Sequence, residues 1–401
     1  MSDVARLETG HTPSRRYPEY WGGDVPWIGI KDATENHGRV IAETHQYTND
    51  LGIANSSARI LPTHTVCLSR TASVGYVVVM GRPMSTSQDF VNWVCSEAID
   101  YRYLKYVLLA EHETFLRFAS GTTHQTIYFP EVKAFHVCLP PISEQRSIAH
   151  ILGTLDDKIE LNRRMNETLE AMARTLFKSW FVDFDPVRAR AEGRDPGLPK
   201  HIADLFPDSF DDSELGKIPN GWTTSRLGDV LDLKRGYDLP SVQRRPGVVP
   251  IVSSSGPSGT HDEAKVHAPG VVTGRYGSIG TVFFVRENFW PLNTTLYVRD
   301  FKGANALYAY YLLQSVDFAK FSDKAAVPGI NRNHLHEEPL VIPPPSVQER
   351  FGLLAGGWLD RKANSETQST TLSHMRDTLL PKLISGELRV KGAEKPILRV
   401  S

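Results

Sequence analysis

The chain of 401 residues lacks the features that mark several large classes of protein. It has three cysteines, too few and too far apart for a disulfide framework or a zinc cluster: Cys67, Cys95 and Cys138. It has no apolar run long enough to span a bilayer, and its N-terminus does not begin with a basic segment followed by an apolar one. These absences predict a cytoplasmic protein with reduced thiols and no membrane span.

An excess of charge is also absent. The formal net charge is −1 at pH 7, so any surface that binds a polyanion has to be local rather than a property of the whole chain. Hydrophobic residues make up 40% and charged residues 23%, which is ordinary for globular proteins and argues against disorder. The length is sufficient for two or three domains, each with its own core.

Signatures of catalysis and metal binding are missing as well. The sequence contains no Gly-x4-Gly-Lys-Ser/Thr phosphate loop, and neither Pro-Pro pair stands in the Asn/Asp-Pro-Pro-Tyr/Phe motif of adenine amino-methyltransferases. The glycines of "GRYGSIG" (274–280) have the wrong spacing for a dinucleotide site and predict a turn between strands. His334 and His336 have no companions at metal-ligand spacing. A nuclease-like set is irregularly spaced in an acidic stretch: Pro207, Asp208, Glu214 and Lys217. We therefore expect neither a catalytic residue nor a metal site.

The chain does contain a repeat. The stretch "CLPPISEQRSIAHIL" (138–152) returns as "VIPPPSVQERFGLLA" (341–355). Two earlier pairs follow the same order, "DVARLETG" with "DVLDLKRG" and "LSRTASVGYVVV" with "VTGRYGSIGTVFF". Each half therefore has a block of short apolar runs, a proline pair and a long helix. Two copies predict a pseudo-dimer within one chain rather than a solenoid.

Each block is predicted to be α+β. Short runs of β-branched and aromatic residues between glycine and proline turns predict strands at 76–80, 90–95, 280–285 and 295–300. One amphipathic helix is predicted in each block, at 101–118 and 305–321.

The helix after each proline pair carries a coiled-coil seam. In the first helix, spacings of four and three alternate through Ile148, Leu152, Leu155, Ile159, Asn162, Asn166, Leu169, Ala173, Leu176 and Trp180. The second seam has apolar ends and a polar centre: Phe351, Ala355, Trp358, Ser365, Ser369, Leu372, Leu379 and Leu383. Aligning the two polar centres predicts an antiparallel pair of helices. About 38 residues at 1.5 Å each make a rod of roughly 57 Å.

These patterns divide the chain into five segments. The first block is 1–141, the first helix 142–181 and the second block 217–341, followed by a second helix with its tail at 342–389. Ser143 is the expected N-cap of the first helix. Residues 182–216 are rich in Pro, Gly and Asp and lack periodicity, so they are predicted to be a linker.

At this point the residues resemble those of a known family. The repeated Pro-Pro-x-x-x-Gln before a long helix, "SWFVDFDPVRARAEG" (179–193) and "IPNGWTTSRLGDV" (218–230) are similar to the specificity subunit of type I restriction–modification enzymes. The resemblance covers essentially the whole chain. It implies two target-recognition domains, each reading one half of a split, asymmetric sequence in double-stranded DNA, and an antiparallel helix pair that sets the gap between the halves.

The resemblance also implies partners. Two copies of a methyltransferase subunit would dock on the helices, and a motor–nuclease restriction subunit would add cleavage. S-adenosylmethionine, ATP and magnesium would belong to these partners, and this chain would be non-catalytic. Three alternatives stay open. The first half lacks a counterpart of 218–228, which allows a truncated, non-functional specificity subunit. The second alternative is a helical scaffold without DNA specificity, and the third is that the chain is itself a DNA-modifying enzyme.

Candidate DNA-binding residues occupy equivalent places in the two halves. Polar loops follow each amphipathic helix, at 120–130 and 326–335, and carry amide, hydroxyl, imidazole and guanidinium groups suited to bases or phosphates: Thr123, His124, Gln125, Asn331, Arg332 and Asn333. A second set lies beside the glycine turns: Arg70, Ser73, Arg275 and Ser278. These four either contact DNA or cap the turns.

Overall fold

The two repeats fold as two units, and each unit contains part of both long helices. The computed structural model describes residues 4–119, 126–137, 139–321 and 329–390. The first unit comprises Met1–Asn162 with Glu366–Ser401, and the second comprises Arg163–Ser365. The pseudo-dimer predicted from the repeat is confirmed by the duplicated topology of these units.

The first unit is built from short strands that precede its helices. Its strands are β1 Ala5–Thr9, β2 Trp21–Ile28, β3 Val40–Ile41, β4 Gln46–Thr48, β5 Val66–Ser69, β6 Val77–Met80, β7 Ser85–Thr86 and β8 Phe90–Cys95. Its helices are α1 Ile30–Glu35, α2 Asp50–Ala54, α3 Tyr101–Ala110, α4 His112–Phe118, α5 Phe129–Lys133 and the first part of α6 Ile142–Phe181.

Two sheets organise this unit. The larger has the order β1-β8-β5-β6-β3 and is antiparallel except for the β3–β6 pair. The smaller has the order β4-β2-β7, in which β2 and β7 run parallel. The apolar side chains on one face of the large sheet, among them Val66 and Trp93, are buried with Tyr103 and Leu104 of α3. This burial explains why these strands are rich in β-branched residues.

The second unit repeats this plan after an additional segment. Its helices are the second part of α6, then α7 Asp185–Ala191, α8 Lys200–Ala203, α9 Leu227–Val230, α10 Ala306–Ser315, α11 Arg332–His336 and the first part of α12 Pro345–Ile384. Its strands are β9 Phe210–Ser213, β10 Gly216–Pro219, β11 Thr223–Arg226, β12 Asp232–Arg235, β13 Val249–Ser253, β14 Gly256–His261, β15 Gly270–Gly274, β16 Val282–Val285, β17 Trp290–Pro291, β18 Thr295–Asp300 and β19 Pro339–Ile342.

The sheet topology of the second unit matches that of the first. The order β12-β18-β15-β16 corresponds to β1-β8-β5-β6, and β14-β13-β17 corresponds to β4-β2-β7, including the parallel pair. The pairing of β11 with β19 is specific to the second unit within the described part of the chain. The stretch 274–280 joins the antiparallel strands β15 and β16, as the turn prediction required.

The prediction of a linker at 182–216 is wrong, because this segment is folded. It contains α7, α8 and the start of a β9–β10 hairpin. Val187, Ile202 and Phe206 are buried in the core of the second unit, and the Phe206 ring lies 5.0 Å from that of Trp180. Each short element buries only one or two side chains between glycines and prolines. Such a segment has no long apolar period, so the sequence could not distinguish it from a linker.

The amphipathic helices are shorter than predicted. In the first unit the helix ends at Ala110 and a separate helix, α4, follows. In the second, α10 ends at Ser315 and is followed by a 3-10 turn at Phe318–Phe321. Both begin at the expected place, because the side chains of Asp100 and Asn305 accept backbone N–H groups of the first turn.

The glutamine of the repeated Pro-Pro-x-x-x-Gln motif joins each long helix to the N-cap of the shorter helix before it. The Gln145 amide oxygen accepts the Asp100 N–H at 3.0 Å, and its NH2 group donates to the carbonyls of Ala98 and Pro140. Gln348 accepts the Asn305 N–H at 3.4 Å and donates to the Pro343 carbonyl at 3.0 Å. The helix α6 begins at Ile142, so Ser143 lies inside its first turn and is not the N-cap as predicted.

The antiparallel pairing of the long helices is confirmed within each unit. In the first, Ile148 and Leu152 of α6 share a core with Leu383 of α12. In the second, Ala173 and Trp180 of α6 share a core with Phe351 and Ala355 of α12. At the polar centre, the Asn162 amide donates to Gln368 Oε1 at 2.8 Å and to Ser369 Oγ at 3.1 Å. Such a buried amide fixes the register of a helix pair.

Within the described ranges, no helix is long and apolar enough to cross a membrane.

Candidate nucleic-acid interface

The glycine turn and the polar loop meet at one junction in each unit. In the first unit, the Ile127 N–H donates to the Arg70 carbonyl at 2.9 Å. In the second, the Ile330 N–H donates to the Arg275 carbonyl at 3.1 Å. The repeat thus brings together the two groups of candidates that the sequence indicated separately. Thr123, His124 and Gln125 lie outside the described residues.

In the second unit this junction lines a cleft of about 590 Å³. We call it the basic cleft, and it is lined by Lys234, Arg235, Gly236, Tyr237, Arg275, Tyr276, Leu296, Gly329, Ile330, Asn331, Arg332 and Asn333. The end of β12, the turn after β15 and the start of α11 contribute its charged side chains, and β18 contributes Leu296. Three elements distant in sequence therefore place four cationic side chains around one concave surface.

The cationic side chains of the basic cleft are held mainly by uncharged partners. The Arg275 guanidinium lies 4.6 Å from the Tyr276 ring centroid, and Arg332 Nη1 donates to the Leu233 carbonyl at 3.4 Å. Arg235 forms an exposed ion pair with Asp238 at 3.4 Å. Among the described residues, no carboxylate pairs with the Lys234, Arg275 or Arg332 side chain, which leaves these charges available to an anionic ligand.

Tyr237 lines the cleft and is held from behind by the buried Tyr297. The Tyr237 hydroxyl lies 3.0 Å from the Tyr297 hydroxyl and 3.5 Å from Lys234 Nζ. Burial raises the pKa of Tyr297. The hydrogen bond between the two hydroxyls lowers the pKa of Tyr237 from the ordinary 10.0. Tyr237 therefore presents a polarised hydroxyl beside an ammonium group, an arrangement suited to a phosphate or base-edge acceptor.

The predicted residues divide into two groups here. Arg275, Asn331, Arg332 and Asn333 line the basic cleft, although the Asn331 side chain also accepts the Asn333 N–H at 3.0 Å and so caps α11. Ser278 is exposed in the turn and does not line the cleft. Contact with DNA stays a prediction for all of them.

In the first unit, the candidate residues take part in the turn itself. The Ser73 N–H donates to the Thr71 carbonyl at 2.8 Å, and its own carbonyl accepts from Ser69 Oγ. The Arg70 guanidinium donates to the Gln88 carbonyl at 3.1 Å. These contacts support the turn-forming alternative for Ser73, while the partly exposed Arg70 retains donors for a ligand.

Sequence reasoning missed Lys234, Arg235, Tyr237 and Tyr276. A signal was present, because "LKRGY" stands where the first half has "LETGH", with a basic pair before a glycine shared by both halves. The glycine itself is structural. A Cβ at Gly236 would lie 2.1 Å from the Leu292 carbonyl oxygen, and one at Gly10 would lie 2.0 Å from that of Ser87. Any larger residue would push the end of the strand away from the smaller sheet.

Both histidines of the second unit's loop lie in α11, and one of them is engaged by a backbone N–H. His336 Nε2 accepts the Leu233 N–H at 3.0 Å, and burial lowers the pKa of this imidazole, which favours the neutral form that this hydrogen bond requires. Across the part of the chain that the structure describes, no cluster of three or more His, Cys, Asp or Glu is placed to hold a metal ion.

Comparison with known proteins identifies the family. A model described as "Type I restriction modification DNA specificity domain" matches residues 1–171 and 219–352, one match for each half of the repeat. The chain belongs to this family. It is therefore a DNA-recognition subunit of a type I restriction–modification complex, with DNA and the other subunits of that complex as its partners.

Individual relatives extend over most of this specificity subunit. It is 27% identical over 419 aligned residues to the type I restriction enzyme MjaIX specificity subunit of Methanocaldococcus jannaschii, covering 98% of this chain and 93% of that one. It is 24% identical to the HindI specificity subunit of Haemophilus influenzae, covering 71% of this chain and 76% of the relative.

A solved structure shares the fold. The S subunit of a type I restriction–modification system from M. genitalium aligns with a TM-score of 0.56 and 17% identity, over 95% of this chain and 94% of that one. The fold predicted from the repeat, two α+β blocks with a paired long helix after each, is thus found in a solved member of the family.

Proposed function

We propose that this specificity subunit reads a split, asymmetric DNA target, with one half-site recognised by each unit. The observation that carries the proposal is that one fold occurs twice with different side chains at the same junction. Lys234, Arg235 and Arg332 in the second unit correspond to Glu8, Thr9 and Phe129 in the first. Similar frames with different contact residues are suited to reading different base sequences.

The long helices are proposed to fix the gap between the half-sites. Each is a continuous helix of 40 residues, so each is about 60 Å long. The buried amide of Asn162 fixes their register, and a fixed register is what a spacer of constant length requires.

The outer faces of the helices are proposed to dock two copies of a methyltransferase subunit. Large apolar side chains are exposed along them: Leu161, Met172 and Leu353. An internal pseudo-twofold repeat presents two similar surfaces and so suits two identical partners. The partners would carry S-adenosylmethionine, and a restriction subunit would supply ATP- and magnesium-dependent cleavage. This chain would then have no catalytic role of its own.

The test of the split target is an exchange of one block. Replacing residues 217–341 with the corresponding block of another specificity subunit should change one half of the methylated sequence in the host genome and leave the other half intact. Genome-wide adenine methylation read with and without the chain provides the baseline. A change in both halves, or in neither, contradicts the assignment of one half-site to each unit.

The test of the spacer is a matched insertion. One heptad added to each long helix beside Asn162 and Ser369 preserves both seams and lengthens the pair by about 10 Å, or about three base pairs at 3.4 Å each. The gap in the methylated sequence should grow by that amount. An unchanged gap with retained methylation would show that the helices do not set it.

A further inference from the structure

The basic cleft concentrates cations that the protein itself does not neutralise. Lys234, Arg275 and Arg332 line one concave surface without carboxylate partners among the described residues, and Arg235 has only an exposed partner. Like charges gathered in a cleft repel one another and focus a positive potential. An anion bound between them removes this repulsion.

The first unit differs at the same positions. Glu8 and Thr9 replace Lys234 and Arg235, and Phe129 replaces Arg332. The Glu8 carboxylate is buried and paired with Arg6 and with Arg59, the latter at 2.8 Å. The single Glu8 charge is shared by two guanidinium groups, so one net positive charge remains with Arg6 and Arg59, neither of which stands at a position equivalent to a cation of the basic cleft. Of the four equivalent positions, only the one at Arg70 keeps a cation.

The surroundings of the first junction combine aromatic rings with one lysine, Lys133, whose ammonium group lies 5.1 Å from the Phe129 ring centroid. Tyr128 stands at the position of Asn331 and is 55% exposed, and Phe129 follows it at the start of α5. Exposed rings contact DNA through base or sugar faces, and such contacts release no counterions. The two units therefore offer a nucleic acid different chemistry at the same place in the fold.

We infer that the basic cleft is a binding site for DNA backbone phosphates, contacted by Lys234, Arg275 and Arg332, and that the second unit supplies the larger salt-dependent share of DNA affinity. The inference rests on the proposed function, because it assumes that each unit faces DNA. It adds that the two half-sites are held unequally: the second through three clustered cations that contact phosphates, and the first through fewer cations together with the rings of Tyr128 and Phe129.

The experiment measures how DNA affinity depends on salt. The full chain, assembled with its methyltransferase subunit, is titrated onto a mixed-sequence duplex over a series of sodium chloride concentrations. Each phosphate contact contributes about 0.9 to the slope of log K against log salt. The triple variant Lys234→Gln, Arg275→Gln, Arg332→Gln should reduce the slope by about 2.7, so that over a fourfold rise in salt it loses about 40-fold less affinity than the wild type. Arg70→Gln should reduce the slope by at most about 0.9.

Matched variants separate contact from folding. Lys217→Gln removes an exposed charge from β10, outside the cleft, and should leave the slope unchanged. Lys234→Arg with Arg275→Lys and Arg332→Lys keeps the charge and should restore most of the slope. The unfolding midpoint of each variant is measured alongside, because the Arg332 side chain also holds the Leu233 carbonyl.

Two results are decisive against the inference. A folded triple variant with the wild-type slope would show that the cleft does not contact phosphates, while an intact split methylation pattern would leave the proposed function standing. If the triple variant and Arg70→Gln reduced the slope of log K against log salt equally, the two units would contribute equally to salt-dependent affinity, which contradicts the inference. Failure of the wild-type complex to prefer any split site would instead overturn the proposed function itself.

Discussion

Where each globular block meets the long helices, the two units use opposite chemistry at equivalent positions. In the first unit, Lys105 Nζ lies 3.0 Å from Asp156 Oδ2, and Arg376 Nη1 donates to Asp156 Oδ1 at 2.9 Å. The Tyr106 hydroxyl donates to the same carboxylate at 2.6 Å. Two cations and a phenol, from α3 and α12, therefore share one partly buried acid of α6.

The repeat replaces this network with apolar side chains in the second unit. Tyr310, Leu359 and Ala173 occupy the positions of Lys105, Asp156 and Arg376, and all three belong to or pack against the apolar core. The second unit therefore lacks all three of these charges, and none is left there without its partner. The fold therefore requires side chains that fill this space, and either an ion-pair network or apolar groups can do so, provided that no buried charge lacks a partner.

Removing the acid alone should have the largest effect. Asp156→Leu introduces the residue of the second unit but leaves Lys105 without a carboxylate and Tyr106 without an acceptor. Arg376 keeps only its pair with Asp377 at 2.8 Å. The expected loss is about 3–5 kcal/mol in the free energy of unfolding. Urea unfolding, with hydrogen exchange of peptides from α3 and α10, measures the loss and locates it in the first unit. Asp157→Leu, on the exposed neighbour, is the control and should change little. Equal stability of the two variants would mean that the network contributes nothing.

Transplanting the whole set should reverse this loss. With Lys105→Tyr, Asp156→Leu and Arg376→Ala together, the stability of the first unit should lie between that of the wild type and about 1–4 kcal/mol above it, because no buried charge is unpaired. A triple variant as unstable as Asp156→Leu would show that the frames of the two units are not interchangeable here.

The pH dependence of stability should distinguish the wild type from this triple variant. Burial alone raises the pKa of Asp156, but Lys105, Tyr106 and Arg376 together lower it below the ordinary 3.8. A carboxyl with a depressed pKa stabilises the fold above its unfolded value and loses that contribution as pH falls through the folded value. The wild type should therefore lose stability below about pH 4 more steeply than the triple variant. Glu170 of the second unit also has a lowered pKa and contributes equally to both proteins. Parallel stability curves at acid pH would contradict this assignment.

The repeated glutamine should show a smaller difference between the units. Gln145→Ala leaves the Asp100 N–H and two carbonyls without their partner, whereas Gln348→Ala affects two groups, one of them through a bond of 3.4 Å. Both losses are expected at about 1–3 kcal/mol, with Gln145→Ala the larger. Hydrogen exchange of α3 and α10 reports each unit separately. A larger effect in the second unit would contradict the count of hydrogen bonds.

Exchanging the helix caps should have the smallest effect. Asp100→Asn and Asn305→Asp each keep a side-chain oxygen for the first-turn N–H groups, so the free energy of unfolding should change by at most about 0.5 kcal/mol. Asp100→Ala should cost about 1 kcal/mol and is the reference. If the exchanges cost as much as alanine, the caps would depend on more than an acceptor oxygen.

Much of the fold could be predicted because its signals are local or repeated. The double prolines, the alternating spacings that end at Trp180 and the strand at 90–95 all appear in the structure where the sequence placed them. The folded segment 182–216 was missed because its buried side chains, such as Val187 and Phe206, follow no period. The basic cleft was predicted in part: Arg275 and Arg332 were found from loop position, but Lys234 and Tyr237 were not, because the end of a strand carries no signal of what it faces.

A duplicated α+β chain with two long helices can be deduced from the sequence, because periodicity and repetition are patterns of neighbouring residues. The sequence also determined the family, through motifs that recur in both halves. The folded protein was needed to show that Lys234, Arg275 and Arg332 share one cleft, and that Lys105 and Arg376 share the carboxylate of Asp156. Those groups are about 40 to 270 positions apart along the chain, and charge interactions depend on distance in space, which backbone folding alone sets.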